Sequence, residues 1–183
     1  MQMAKKSELA RNRAYCDRLF NAASSAWDRG DLKQAFDGFA QAAKLGDPGS
    51  QVNLGYFFDR GLGVRRNRPA ALAWYNRAYR QGDAGAANNI ATVHRDLGNH
   101  TKSMWWMRRA ASMGDLDVVF TLAQQYENSS STRPRIDSAR RLYLQVLASK
   151  HATLADKARA TKRLAAINRR RGGFKKRAAG RIS

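Results

Sequence analysis

The sequence has one cysteine, few β-branched apolar residues and no long apolar run. One cysteine cannot form a disulfide within the chain, and only ten valines and isoleucines argue against a large β-sheet protein. No stretch approaches the roughly 18 apolar residues that a membrane-spanning helix needs. The first residues, MQMAKKSELARNR, lack the apolar core of a secretory signal. We therefore expect a cytoplasmic, mainly helical protein.

Motifs of the common enzyme classes are also missing. The chain has no His-Glu-x-x-His zinc motif, no Gly-x-Gly-x-x-Gly, no phosphate-loop Gly-Lys-Ser and no Gly-x-Ser-x-Gly. Its three histidines have no metal-ligand spacing, and Cys16 shares a predicted apolar face with Leu19 and Phe20, which favours a buried, inert thiol. The sequence predicts a protein that is not an enzyme and needs no metal or cofactor.

Acidic residues are scarce, whereas alanine and basic residues are abundant. There are 34 Lys and Arg against 14 Asp and Glu, a net charge of +20, and half of that excess lies in residues 151–183. Such a field attracts nucleic acids, acidic protein surfaces or anionic membranes. The 31 alanines, with four Trp and six Tyr, supply apolar surface in residue types that suit close-packed helices.

A repeat runs through the middle of the chain. Gly46, Gly82 and Gly114 each follow an alanine-rich run and each precede an aspartate. Glycine readily takes the left-handed conformation that ends a helix, and aspartate favours the first turn of the next one. Eight residues after each glycine comes Leu54, Ile90 or Leu122, and a small residue follows each of these. This register predicts stacked antiparallel helix pairs.

Residues 50–83 resemble a Sel1-like repeat, a relative of the tetratricopeptide repeat. The resemblance rests on the run NLGYFF, the loop glycines Gly61 and Gly63, the pair Trp74-Tyr75, and Gly82. Weaker copies extend it over roughly residues 20–150. It implies a right-handed α-solenoid in which the first helix of each pair lines a concave side and binds proteins.

We therefore predict an all-α fold: an α-solenoid of about four antiparallel helix pairs with a C-terminal capping helix. The domain covers residues 1–170, and a basic flexible tail, 171–183, follows a helix break at Gly172-Gly173. The predicted repeats are 17–46, 47–82, 83–114 and 115–150, and the capping helix is 152–170, with Leu154, Ala158, Thr161 and Ala165 facing inward.

Polar side chains recur along the predicted concave side. Amides and hydroxyls at these places can hydrogen-bond an extended peptide backbone. The alternative is a solvated face in which Asp59, Arg95 and Glu127 pair with one another. The candidate positions form three columns: Asn53, Asn89 and Thr121; Tyr56, Thr92 and Gln124; Asp59, Arg95 and Glu127.

Trp105 occupies a column that the other copies fill with small or charged residues. Tryptophan and arginine dominate protein interfaces, so Trp105 beside Arg108 and Arg109 is either an interface anchor or a cover for a neighbouring loop. Both interpretations stay open.

The basic end of the chain favours a rival function, binding of RNA or DNA. A cationic segment can neutralise several phosphates, and arginine-rich segments can fold on RNA. An acidic protein partner, an anionic membrane or a merely solubilising end are the alternatives. The candidate polyanion-binding residues are Arg169, Arg170, Arg171, Lys175, Lys176 and Arg177.

Overall fold

The computed structural model describes residues 2–128 and 133–179, and their side chains over 11–128 and 135–169. These residues contain nine α-helices and no strand, which confirms the all-α prediction for them. The helices are α1 Gln2–Asp28, α2 Leu32–Lys44, α3 Pro48–Arg60, α4 Arg68–Arg80, α5 Ala84–Asp96, α6 His100–Ser112, α7 Leu116–Asn128, α8 Arg133–Ala148 and α9 Leu154–Ala179.

Each Gly-Asp pair ends one helix and begins the next, as predicted. Gly46, Gly82 and Gly114 have φ angles of +99°, +92° and +97°, a left-handed region that other residues enter at a cost of about 1–2 kcal/mol. Asp47 and Asp83 accept hydrogen bonds from backbone N–H groups three residues later, at 2.6 and 2.7 Å. These carboxylates cap helix N-termini that would otherwise have unsatisfied donors.

The chain divides into two compact units, Met1–Arg109 and Ala110–Ser183, called unit 1 and unit 2. In unit 1, α1 packs against α2, α2 against α3, α3 against α4, and α4 against α5. The buried rings of Phe39 and Phe57 meet edge to face at 5.7 Å, and Tyr75 packs with Ile90 and Val93. These contacts belong to two clusters of buried residues, and the half-buried Phe58 packs against both.

Helices α3 and α4 approach closely because Gly55 has no side chain. A Cβ atom at this position would lie 2.7 Å from the Tyr75 ring and 3.2 Å from the carbonyl oxygen of Ala71. Ala91 and Ala123, at the matching places of later repeats, are buried. The predicted register of small residues beside bulky ones is confirmed.

Unit 2 is built from α7, α8 and α9, with α8 packed against both others. The rings of Phe120 and Tyr143 lie 5.9 Å apart in its core. Helix α9 buries Ala160, Leu164 and Ile167, which have the i, i+4, i+7 spacing of one helix face.

The inward face predicted for the capping helix is wrong. Ala158, Thr161 and Ala165 are exposed, and Leu154 is 88% exposed. The sequence of α9 offers two faces with helical spacing. The face that packs carries Leu164 and Ile167, whose burial removes more apolar surface from water than that of alanine and threonine.

Helix α9 also continues past the glycines that were expected to end it. It includes Gly172-Gly173 and extends to Ala179, so most of the predicted flexible tail is helical, and residues 180–183 lie outside the described residues. Each glycine weakens a helix by about 1 kcal/mol, and the flanking Lys, Arg and Ala residues are strong helix formers. The domain boundary after residue 170 stays a prediction.

Candidate functional site

Two asparagines occupy matching places on the first helices of neighbouring pairs. Asn53 on α3 and Asn89 on α5 each lie six residues after a capping aspartate, and both are half-buried. Helices α3 and α5 are in direct contact. Among the described residues, neither amide makes a hydrogen bond. Both amides therefore keep donors and acceptors for another molecule.

An aromatic side chain lies one helical turn beyond the first asparagine. The Tyr56 ring is 5.8 Å from the Trp27 ring, and the Arg60 guanidinium is 5.6 Å from the centre of the Tyr56 ring. These contacts fix a half-buried ring on α3, while the half-buried Thr92 has the equivalent place on α5. The α3/α5 face, defined as Asn53, Tyr56, Asn89 and Thr92, thus combines amide, hydroxyl and aromatic groups.

Asp59 does not belong to this face, which corrects its prediction as a binding residue. It is 2% exposed, and its carboxylate lies 3.5 Å from Arg68 Nε, 3.6 Å from Arg60 Nε and 3.9 Å from Arg66 Nη2. Arg66 Nε also donates to the Asp59 carbonyl oxygen at 2.7 Å. The loop after α3 folds back so that Arg66 of the loop and Arg68, the first residue of α4, join Arg60 around this carboxylate. A lone aspartate followed by four arginines was the sequence signal for this contact.

Arg95 is exposed at the C-terminal end of α5. Its Nε lies 3.8 Å from the carboxylate of the adjacent Asp96, which also pairs with Arg68 at 3.7 Å. Among the described residues, the alternative pairing of Arg95 with Asp59 does not occur. Arg95 thus lies exposed at one end of the α3/α5 face, beside Asp96.

Gln124 lies on α7 in unit 2 and is half-buried. Glu127, which belongs to the third predicted column with Asp59 and Arg95, does not face a partner either. Its side chain is 4% exposed. Its two carboxylate oxygens accept hydrogen bonds from Arg163 Nε at 3.2 Å and Nη2 at 2.5 Å. This bidentate pair joins α7 to α9, and sequence reasoning missed it because the partners are 36 positions apart.

Burial next to that ion pair changes the acidity of Tyr143. Removal from water, and then the neighbouring Glu127 carboxylate, raise the pKa of the Tyr143 phenol to about 12. The group is therefore neutral at physiological pH, and its surroundings indicate a structural role.

Trp105 is exposed on α6, with 51% of its surface accessible. Its ring meets the Trp106 ring edge to face at 4.8 Å, and the Arg109 guanidinium lies 5.7 Å from its centre. About half of the indole is accessible to another molecule, and the interface and covering interpretations both stay predictions.

Residues 48–83 and 96–115 match the family model of the Sel1 repeat. The first match begins at the start of α3 and ends just after α4, so one matched segment corresponds to one helix pair. Over these two segments the chain is similar to Sel1 repeat proteins.

Solved structures of such repeats share this fold. A Sel1 repeat protein from Oxalobacter formigenes has a TM-score of 0.54 and 26% identity, covering 62% of this chain and 34% of the other. The antigen c5321 from uropathogenic Escherichia coli, which has an SLR fold, has a TM-score of 0.59 and 19% identity, covering 88% of this chain and 35% of the other. The predicted α-solenoid class is confirmed.

A longer relative comes from Saccharomyces cerevisiae. The chitin synthase regulator SKT5 is 29% identical over 130 residues, which cover 71% of this chain and 18% of the yeast protein. The chain thus spans less than a fifth of this relative and about a third of the two solved structures.

The predicted polyanion-binding residues lie along the last part of α9. Arg169 is exposed. The remaining five, Arg170, Arg171, Lys175, Lys176 and Arg177, belong to the same helix, but their side chains lie outside those described.

Burial also shifts the pKa of two other titratable groups among the described residues. Burial raises the pKa of the Cys16 thiol, and burial, followed by nearby Lys102, lowers the pKa of His94. Across residues 2–128 and 133–179, no three His, Cys, Asp or Glu side chains are grouped to hold a metal. Within the same residues, no helix is both long enough and apolar enough to cross a membrane.

Proposed function

We propose that this chain is a non-catalytic interaction scaffold that binds an extended segment of a partner protein along the α3/α5 face. The observation that carries the proposal is the pair of half-buried amides, Asn53 and Asn89, which have no partner among the described residues. A carboxamide can donate to and accept from one peptide unit at the same time. Two such groups on neighbouring helices can fix the path of a peptide backbone.

The spacing of packed helices suits this ligand. Axes of packed helices lie about 8–10 Å apart, and an extended peptide advances about 3.3 Å per residue. Asn53 and Asn89 would therefore engage peptide groups about three residues apart. Tyr56 gives one apolar side chain a surface to pack against, and Arg95 favours a carboxylate nearby.

The relatives support the same class of function. The yeast relative is described as a regulator of chitin synthase, so its action has another protein as its object. Asn53 and Tyr56 lie in the first segment that matches the Sel1 repeat, and Asn89 and Thr92 lie between the two matched segments.

The experiment selects binders from random twelve-residue peptides displayed on phage and measures their affinity by titration calorimetry. The test variant is Asn53→Ala with Asn89→Ala, and the matched control replaces two exposed asparagines of α1, Asn12→Ala with Asn21→Ala. Each lost hydrogen bond is worth about 0.5–1.5 kcal/mol, so the test variant should bind about 30-fold more weakly. The control should bind like the wild type.

Two results would contradict the proposal that the α3/α5 face binds a peptide. Either no peptide is enriched, or every enriched peptide binds the double asparagine variant as tightly as the control. Circular dichroism confirms that both variants keep their helices.

Nucleic-acid binding is the second candidate, favoured by the continuous helical run of cationic positions in α9. Six neutralised phosphates would give a slope of about −4 to −5 for the logarithm of affinity against the logarithm of salt concentration. Deleting residues 168–183 should abolish binding of a single-stranded oligonucleotide. Unchanged affinity after the deletion would exclude this function for α9.

A further inference from the structure

A second surface of unit 1 carries an ordered group of aromatic and cationic side chains. Lys102, Trp105, Trp106 and Arg109 have the i, i+3, i+4, i+7 spacing of one α6 face. The Trp106 ring meets the Tyr79 ring of α4 edge to face at 5.0 Å. We call these five residues the Trp105 surface.

Arg109 ties the two helices together and supports the exposed indole. Its Nε and Nη2 donate hydrogen bonds to the Tyr79 hydroxyl at 3.0 and 2.7 Å. Its guanidinium also lies 5.7 Å from the Trp105 ring centre and 5.9 Å from the Tyr79 ring centre. Trp105 is therefore held in place before any partner arrives, which lowers the entropy lost on binding.

The charged residues of α4 and α6 are all basic. The sequences of α4 and α6 contain no aspartate or glutamate. Their exposed cations include Arg77, Arg80 and Lys102, and none of these three takes part in an ion pair among the described residues. The guanidinium of Arg77 lies 4.3 Å above the ring of Trp74 on α4. Two adjoining helices thus present several cations and no carboxylate of their own.

We propose that the Trp105 surface binds an acidic segment of a partner protein, with one apolar side chain of that segment packed against Trp105. Carboxylates on either side of the anchor pair with Lys102 and Arg109. Tryptophan and arginine at the centre of such a contact contribute most of its affinity, and the surrounding positive field steers the acidic partner. The surface uses second helices of the repeats, so it goes beyond the α3/α5 face and does not depend on it.

A single-stranded nucleic acid fits this surface less well. Proteins that bind it usually stack successive bases on several rings. Among the aromatic residues of α4 and α6, only Trp105 is mostly exposed, and Arg109 already lies beside its ring. One available ring suits a single apolar side chain better than a row of bases.

The test measures fluorescence polarisation of a labelled peptide, Glu-Asp-Glu-Phe-Glu-Asp-Glu, with the full chain at 150 mM salt. Two companion peptides replace the acids by Gln and Asn, or the Phe by Ala. A labelled oligothymidine and vesicles containing phosphatidylserine are the other probes. The variants are Trp105→Ala and Lys102→Gln. The control is Tyr15→Ala with Arg18→Gln, because Arg18 lies 5.8 Å from the ring centre of the 45% exposed Tyr15 in the same unit.

The proposal requires that the acidic peptide binds and that both companion peptides bind at least about tenfold more weakly. Trp105→Ala should weaken binding about tenfold or more, as expected for an interface anchor. Lys102→Gln should weaken it about threefold, from the loss of one charge contact. The control should change affinity less than about twofold, because it lies outside the surface.

Other outcomes overturn the proposal. These are no binding of the acidic peptide, equal losses in the Trp105 and control variants, and a dependence on Trp105 that appears only with oligothymidine or vesicles. If circular dichroism shows that Trp105→Ala does not fold, the affinity of Lys102→Gln for the acidic peptide, compared with that of the same control variant, decides whether the proposal holds. The variant Asn53→Ala with Asn89→Ala should bind the acidic peptide normally, which separates failure here from failure of the α3/α5 face.

Discussion

Replacing Gly55 by alanine tests the close approach of α3 and α4. The added Cβ would lie 2.7 Å from two ring carbons of Tyr75, about 1 Å inside the usual carbon–carbon contact distance. Tyr75 is 1% exposed and packs with Ile90 and Val93, so its ring has little room to move. Overpacking of this kind costs about 1–3 kcal/mol.

Helix propensity opposes that cost. Alanine is better than glycine in a helix interior by about 1 kcal/mol, so Gly55→Ala should lower the free energy of unfolding of unit 1 by about 1 kcal/mol overall. Gly85 is the matched control, since a Cβ there would meet only the Asp83 Oδ1 atom, at 3.2 Å. Gly85→Ala should leave stability unchanged or raise it by up to about 1 kcal/mol.

Urea denaturation followed by tryptophan fluorescence measures both variants. All four tryptophans lie in residues 1–109, so the signal reports on unit 1. The two variants should differ by about 1–2 kcal/mol, with Gly55→Ala the less stable. Equal midpoints, or a more stable Gly55→Ala chain, would refute the reasoning that a small residue is required at this contact.

Two further predictions concern unit 2. Glu127→Ala breaks the ion pair with Arg163 and should cost about 1–3 kcal/mol in urea denaturation followed by circular dichroism; this is below the cost for a fully buried pair because Arg163 is partly exposed. The comparison is Arg95→Gln in unit 1, at the exposed pair with Asp96, which should cost less than about 0.5 kcal/mol. Equal losses in the two variants would contradict the difference in burial. The pKa of Tyr143 is raised to about 12, above about 10 in an unfolded chain. Its contribution to stability is therefore complete below about pH 10 and is lost as the pH rises through about 12. Tyr143→Phe should lessen this alkaline loss, and an unchanged pH profile would contradict the assignment.

Local signals in the sequence were sufficient to predict the repeat. A glycine ends a helix and an aspartate begins the next within two adjacent positions, so Gly46-Asp47 and Gly82-Asp83 needed no knowledge of distant contacts. The register of Leu54 and Ile90, each followed by a small residue, came from side-chain size alone. The Gly-Asp pair and the bulky residue followed by a small one both lie within a single repeat, and both recur in the neighbouring repeats.

Charge pairing was harder to predict because it depends on loop paths. Asp59 looked like a member of an exposed column, but the loop after α3 returns Arg66 and Arg68 to its carboxylate. Glu127 likewise pairs with Arg163 of α9, which is 36 positions away in the sequence. Helical spacing shows which residues share a face, whereas it does not show which distant cation reaches that face.

The prediction of the packing face of α9 was wrong for a different reason. Its sequence contains two sets of residues with helical spacing, and small residues such as Ala158 and Thr161 made the wrong set look suited to close packing. The comparison of buried apolar area between Leu164 and Ala165 would have favoured the correct set. Side-chain size should therefore rank alternative faces before spacing does.

Amide hydrogen exchange of the wild-type chain, with and without a peptide selected on it, tests the central claim most directly. Binding along the α3/α5 face should slow amide exchange in Pro48–Arg60 and Ala84–Asp96 of the wild-type chain. The variant Asn53→Ala with Asn89→Ala should lose this protection, because it lacks the two contacting amides. Slowed exchange confined to other helices, or the same protection in that variant, would contradict the claim that these two helices hold the partner.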